Sequence, residues 1–220
     1  MKFKKVIQAV TLCSGLLGIG SAHAAVMLFD SVTDTNSILY ATTQDGATLS
    51  ATVKFTLNAL TAAQAIFGVE VSNNSFGPGN NRLMSFGIDV VSPTLSFASA
   101  NGDWDATRNT NFPTFQTVDL CIWDGSNCNG GSNQGVGMGQ TDSFALTLGT
   151  TGNFLTNGIS FTSPYAVKFQ SVGTLGNSSE FAGCIVGEPH CGPTQVPEPA
   201  SIALVGLGLL GVALARRRKA

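Results

Sequence analysis

The chain has 220 residues, of which 43% are hydrophobic, and its 11 basic and 13 acidic side chains give a formal net charge of −2. The basic residues are concentrated at the two ends, so the part between Ala25 and Pro199 has four cations against thirteen carboxylates and carries −9. A surface this acidic repels phosphate backbones and argues against nucleic-acid binding, and about 170 central residues are enough for one folded domain.

Residues 1–24 have the features of a secretory signal peptide. A basic region with three lysines precedes an apolar run at residues 6–19, which is too short for a stable membrane span. Ala22 and Ala24 then supply the small residues at positions −3 and −1. We therefore predict a signal helix that is cleaved after Ala24 on export.

From residue 25 onward, apolar and polar residues alternate in short runs. In the clearest run, five apolar residues point one way and polar residues the other: Leu49, Ala51, Val53, Phe55 and Leu57. Similar runs continue to Phe169, separated by clusters of Gly, Asn, Asp and Pro. This pattern predicts an all-β ectodomain at residues 25–186, an antiparallel β-sandwich of about eight to ten strands. We also expect one helical turn at residues 59–65 and a long loop at residues 127–140.

Four cysteines lie in the exported part, in two Cys-x6-Cys units: Cys121 with Cys128, and Cys184 with Cys191. An even number of cysteines in an exported chain indicates disulfides. Three pairings are open, and turn residues inside each unit favour the two local loops. Zinc is the competing interpretation, but the spacing is wider than zinc sites use and His190 is the only histidine after the signal peptide. No metal site is predicted.

Two acidic segments are candidates for binding or catalysis. Asp103 and Asp105 flank Trp104, an arrangement typical of a turn with a packed tryptophan, of a calcium or glycan contact, or of a glycosidase carboxylate pair. The segment 124–129 resembles the start of a calcium loop but lacks the distal Glu, so we interpret it as an ordinary loop.

The usual catalytic motifs are missing from the sequence. A nucleophile needs a base within reach, and His190 lies between a proline and a cysteine in a predicted linker. The chain has neither a Gly-x-Ser-x-Gly elbow nor a phosphate-binding glycine loop after a strand. We therefore predict no catalytic residues, no cofactor and no enzymatic activity.

Three features follow one another near the C-terminus. The first is a proline-rich motif of four residues: Val196, Pro197, Glu198 and Pro199. An apolar segment at residues 202–215 contains three glycines, and it is followed by a basic stop of four residues: Arg216, Arg217, Arg218 and Lys219. Fourteen apolar residues are fewer than the roughly 20 that a comfortable membrane helix needs, and the cations place the stop on the cytoplasmic side. An ordinary tail anchor after a proline-rich linker is the alternative.

This order of Pro-Glu-Pro motif, short apolar segment and basic cluster resembles the PEP-CTERM sorting domain of Gram-negative, exopolysaccharide-producing bacteria. The resemblance implies a linker at residues 187–199, a transmembrane segment with a basic tail at residues 200–220, and processing by an exosortase near the motif. It also implies a precursor that is held transiently in the inner membrane, and a product at the cell surface or in the extracellular matrix.

Three functional hypotheses follow. The leading one is a structural or adhesive matrix protein, associated with exopolysaccharide or biofilm, whose partners are the exosortase and extracellular polysaccharide. The second is a glycan-binding module that acts through Trp104 or Trp123. The third is a polysaccharide hydrolase that uses paired carboxylates such as Asp103 and Asp105.

Overall fold

The computed structural model describes residues 25–131, 134–189 and 191. The predicted signal peptide, His190, the Pro-Glu-Pro motif, the apolar segment and the basic stop lie outside the described residues. No helix in the described part of the chain has both the length and the hydrophobicity that are needed to span a membrane.

The prediction of an all-β, antiparallel fold is confirmed, with more strands than the predicted eight to ten. The described residues form twelve strands: β1 (Val26–Phe29), β2 (Thr35–Gln44), β3 (Ala47–Leu60), β4 (Gln64–Asn73), β5 (Gly79–Ser92), β6 (Leu95–Ala100), β7 (Trp104–Phe112), β8 (Phe115–Asp124), β9 (Thr141–Thr150), β10 (Ile159–Val172), β11 (Asn177–Ala182) and β12 (Cys184–Ile185). A helix of four residues, α1 (Phe154–Asn157), joins β9 to β10.

The strands form two six-stranded sheets in a sandwich-like arrangement. The first has the order β1-β10-β5-β8-β7, with β11 also paired to β10, and the second has the order β12-β2-β3-β4-β9-β6. The long loop predicted at residues 127–140 is present between β8 and β9, where it forms one isolated bridge, from Val136 to Leu83 of β5.

Strict alternation places one face of β3 in the core. In β3 the apolar residues from Ala47 to Leu57 are buried, whereas the polar residues between them are partly exposed. On that polar face Lys54 lies opposite Glu70 of β4, with Nζ 3.6 Å from Oε1. The period of two therefore fixes the register, because a shift by one residue would turn every core residue outward.

Phenylalanine rings fill the space between the two sheets. Phe55 of β3 contacts rings of the opposite sheet, with centroids 6.5 Å from Phe29, 6.1 Å from Phe86 and 5.5 Å from Phe161. It also meets Phe67 of its own sheet at 6.3 Å. All five side chains are 0% exposed, and the edge-to-face contacts that Phe55 makes with the opposite sheet hold the two sheets together.

A second, smaller apolar cluster lies on the other face of the first sheet. Cys121 sits there because it alternates with the core residues Leu120 and Ile122. Its disulfide to Cys128, with Cα atoms 6.3 Å apart, folds the start of the long loop over this face. The Ser85 hydroxyl donates to the Cys128 carbonyl at 2.9 Å, so the loop is fixed to β5 as well.

The other disulfide joins Cys184 to Cys191, with Cα atoms 5.3 Å apart. Cys184 lies in β12, the edge strand that pairs with β2. Both local pairings favoured by the sequence therefore occur in the structure, and the last described residue is covalently attached to the second sheet.

The prediction of a helical turn at residues 59–65 is wrong. Strand β3 continues to Leu60, and a tight turn leads into β4 at Gln64. Thr61 closes this turn, because its Oγ1 accepts from the Gln64 amide at 3.0 Å while its amide donates to the Gln64 carbonyl at 2.8 Å. The only helix in the described residues is α1, whose N-terminus is capped by Asn153 at 2.8 Å from the Leu155 amide.

Replacement of Phe55 by alanine should lower the free energy of unfolding by about 3–5 kcal/mol, because it leaves a cavity that four rings surround. Chemical denaturation of the mature protein with its disulfides intact measures this loss. Phe76 is 64% exposed and provides the matched control, since Phe76→Ala should change stability by no more than about 0.5 kcal/mol. Equal losses in the two variants would contradict the inter-sheet packing described above.

Candidate functional site

Trp104, the aromatic residue of the first acidic segment, is a core residue. It begins β7, is 3% exposed, and stacks on Phe144 of the opposite sheet with centroids 4.6 Å apart and an interplanar angle of 19°. Phe86 contacts it at 5.8 Å. The interpretation as a turn with a packed tryptophan is confirmed, and the ring is not available as a platform for a sugar.

The remaining residues of the sequence-based hypotheses do not form one site. Asp105 is exposed on β7, where it pairs with Trp123 of β8, while Asp103 lies in the turn before β7. Trp123 is half-buried and packs against the small cluster around Cys121. Because Trp123 and Asp105 lie on the outer face and Trp104 lies inside, the structure does not combine the two tryptophans in one binding surface.

A pocket of about 340 Å³ opens at one end of the sandwich, where β8 ends and β9 begins. Its lining consists of Asp124, Gly135, Val136, Gln140, Thr141 and Asp142. Asp124 lies on the same inward-facing side of β8 as Leu120 and Ile122. Asp142 lies on the inward-facing side of β9, together with Phe144 and Leu146. Two carboxylates therefore extend the two inner faces of the sandwich beyond the aromatic core.

Asp124 is the more buried of these two carboxylates, at 8% exposure. Its Oδ2 accepts from the Gly135 amide at 3.1 Å, but its buried Oδ1 has no hydrogen-bond partner in the described part of the chain. Burial is the largest cause that raises the pKa of Asp124; the Gly135 amide opposes it, and the Asp103 and Asp142 carboxylates add to it. Arg82 has a smaller opposing effect.

Asp142 is held by donors on both oxygens. The Trp104 indole nitrogen donates to Oδ2 at 2.8 Å across the gap between the sheets, and the Ser143 amide donates to Oδ1 at 2.7 Å. The carboxylate orientation is therefore set by a buried core residue. Each carboxylate oxygen has more than one lone pair, so Asp142 can still accept further hydrogen bonds.

The loop wall of the pocket is anchored by Asn73, which is fully buried at the end of β4. Its side-chain amide donates to the Val136 carbonyl at 2.7 Å, its backbone amide donates to Gln140 at 2.9 Å, and its carbonyl accepts from Gly139 at 2.7 Å. Gly135 has a φ of +89°, and a Cβ there would lie 2.7 Å from the Leu83 carbonyl oxygen, so only glycine fits.

The pocket offers acceptors in excess of donors. Four of its six lining residues have polar side chains, and two of these are carboxylates. The described residues contain no group of three His, Cys, Asp or Glu side chains that could hold a metal ion. The arrangement is therefore suited to a ligand that donates several hydrogen bonds.

Comparison with known families identifies a sorting motif near the C-terminus. Residues 195–219 match the family model described as the PEP-CTERM protein-sorting motif. The chain is a PEP-CTERM domain-containing protein. The matched range contains the Pro-Glu-Pro motif, the apolar segment and the basic stop identified in the sequence. Neither the comparison with curated proteins nor the comparison with solved structures gave a match.

Sequence analysis missed the pocket of this PEP-CTERM protein, although a signal for it was present. From the sequence, Asp124 is expected in an ordinary loop, and Asp142 has no place among the sequence-based hypotheses. Both lie at inward-facing positions of an alternating strand, where an apolar residue is expected. A carboxylate at such a position is costly to bury unless it is paired, so it marks a strand end with a polar role.

Substitution of Asp124 by asparagine should change the pH dependence of stability. Because the folded-state pKa is raised, the folded protein binds the proton more tightly than the unfolded chain. The wild type should therefore lose stability as pH rises from about 3.9, the ordinary aspartate pKa, through the raised value, and the loss persists above it. Asp124→Asn lacks this ionisation, so its stability relative to wild type should increase over that range.

Urea denaturation between pH 3 and pH 8 measures this difference. Asp105→Asn removes an exposed carboxylate near the same end of the sandwich and controls for the change in net charge. A difference that is independent of pH, or that is equal in the two variants, would contradict a penalty from burial of Asp124.

Proposed function

We propose that this PEP-CTERM protein is a non-enzymatic component of the cell surface or extracellular matrix, with a structural or adhesive role in association with exopolysaccharide. The sorting motif at residues 195–219 carries this proposal. The motif marks a protein that is exported, anchored as a precursor and processed by an exosortase.

The folded domain suits an extracellular scaffold. Two disulfides attach loops to the sheets, and such bonds persist in oxidising compartments. The described residues share one core of buried apolar and aromatic side chains. The domain's charge of −9 between Ala25 and Pro199 keeps it soluble after the basic tail is removed.

Glycan binding is the second candidate function, and the polar pocket between Asp124 and Asp142 favours it. The geometry supports it at this pocket rather than at Trp104, which is 3% exposed and stacks on Phe144. Hydrolysis by Asp103 and Asp105 has less support, since Asp103 lies in a turn and Asp105 points outward from β7.

Deletion of the host exosortase should leave the precursor uncut in the inner membrane, as detected by immunoblotting of membrane and released fractions. In the wild-type host, Glu198→Ala should cause the same retention. Glu188→Ala is the matched control, because Glu188 also precedes a proline but lies outside the matched motif. Normal cutting and release without exosortase would contradict the proposed processing.

A further inference from the structure

The pocket between Asp124 and Asp142 points to a specific class of ligand. We propose that it binds a neutral sugar residue of the matrix polysaccharide, whose hydroxyl groups donate hydrogen bonds to the two carboxylates. This inference rests on the proposed location in an exopolysaccharide matrix, and it adds the binding site and the ligand class.

The unpartnered oxygen of Asp124 is the first argument. The side chain is 8% exposed, it lines the pocket, and its Oδ1 has no hydrogen-bond partner within residues 25–131, 134–189 and 191. A buried polar atom without a partner costs free energy. This oxygen is closed to solvent in the unliganded domain, so a rotation of the Asp124 carboxylate about its soft χ2 angle brings it to a ligand that supplies the missing donor. A sugar hydroxyl is such a donor, and neighbouring hydroxyls on one ring reach both oxygens of a carboxylate or two adjacent acceptors.

The size of the pocket favours a sugar residue over a bare cation. A volume of about 340 Å³ lies at the lower end of the range of small-molecule pockets, which is about 300–1,000 Å³. A divalent cation such as Ca²⁺ takes six to eight oxygens at about 2.3–2.6 Å. The described residues bring together no three acidic, histidine or cysteine side chains for that purpose. The pocket is thus large for an ion and suited to one ring.

The negative charge around the pocket favours a neutral sugar over an acidic one. Asp103 and Asp142 both act electrostatically on Asp124, and the opposing effect of Arg82 is smaller than that of either carboxylate. The Arg82 guanidinium is also engaged, since it donates to the Gly135 carbonyl at 3.1 Å. A uronic acid or a sulfated sugar would bring a further negative charge into this field and be repelled.

Apart from the Asp124 carboxylate, the pocket is formed before any ligand arrives. Asp142 is oriented by the buried Trp104, and the Gly135–Gln140 wall is held by Asn73 and by the backbone bridge between Leu83 and Val136. Preorganised acceptors lose little conformational entropy on binding, which favours affinity for a small ligand.

Binding to the host's own exopolysaccharide tests the proposal. The polymer is hydrolysed to short oligosaccharides, which are separated into neutral and acidic fractions and titrated by calorimetry into the mature protein in EDTA. The neutral fraction should bind and the acidic fraction should not. Asp124→Asn and Asp142→Asn should each weaken binding by about tenfold or more, because each removes hydrogen bonds to a charged acceptor. Asp105→Asn, which alters an exposed carboxylate, should bind like the wild type.

Several results would overturn the proposal: a neutral fraction that does not bind, binding that both pocket variants retain, or binding of the acidic fraction in a second titration in which Ca²⁺ replaces EDTA. Ca²⁺ titrated alone identifies the last case directly. Thermal denaturation of each variant shows whether it is folded; if one fails to fold, the other decides. A protein that is processed by exosortase and reaches the matrix but binds no neutral fraction would disprove this inference alone and leave the proposed location intact.

Discussion

Packing of phenylalanine rings between the two sheets is the interaction on which the rest of the structure depends. Phe55 contacts rings from three strands of the opposite sheet, and these contacts fix how the sheets face each other. Because the core takes side chains at every second position of β3 and β4, each of these strands has one buried face and one partly exposed face. The small cluster around the Cys121–Cys128 bond then covers part of an outer face and attaches the long loop to it.

The candidate site arises where this aromatic core stops. The row of inward-facing residues ends at Asp124 in β8 and begins at Asp142 in β9. Carboxylates therefore replace apolar residues at one end of the sandwich. Trp104 belongs to both parts, since its ring stacks on Phe144 while its nitrogen binds Asp142. The packing that stabilises the domain therefore also orients Asp142 in the pocket. The unpartnered oxygen of Asp124 lowers the stability of the folded domain.

Alternation in the sequence predicted the all-β class, because long strands such as β3 have one buried face. It did not reveal β1, whose four residues are all apolar, or β12, whose two residues form a strand only by pairing with β2. Strand β7 is polar along most of its length because it lies at a sheet edge. The pocket escaped prediction because it depends on which strands face each other, which local periodicity does not encode. The sorting motif was legible because its three parts are contiguous.

We propose that a disulfide-bonded β domain is released by two processing events, one near each end of the chain. Intact mass spectrometry of the protein recovered from the host surface tests it most directly. The account predicts a chain that begins at Ala25, lacks the apolar segment at residues 202–215 and the basic stop, and is alkylated at its four cysteines only after reduction. A product that retains Ala220, or whose cysteines react without a reductant, would contradict it.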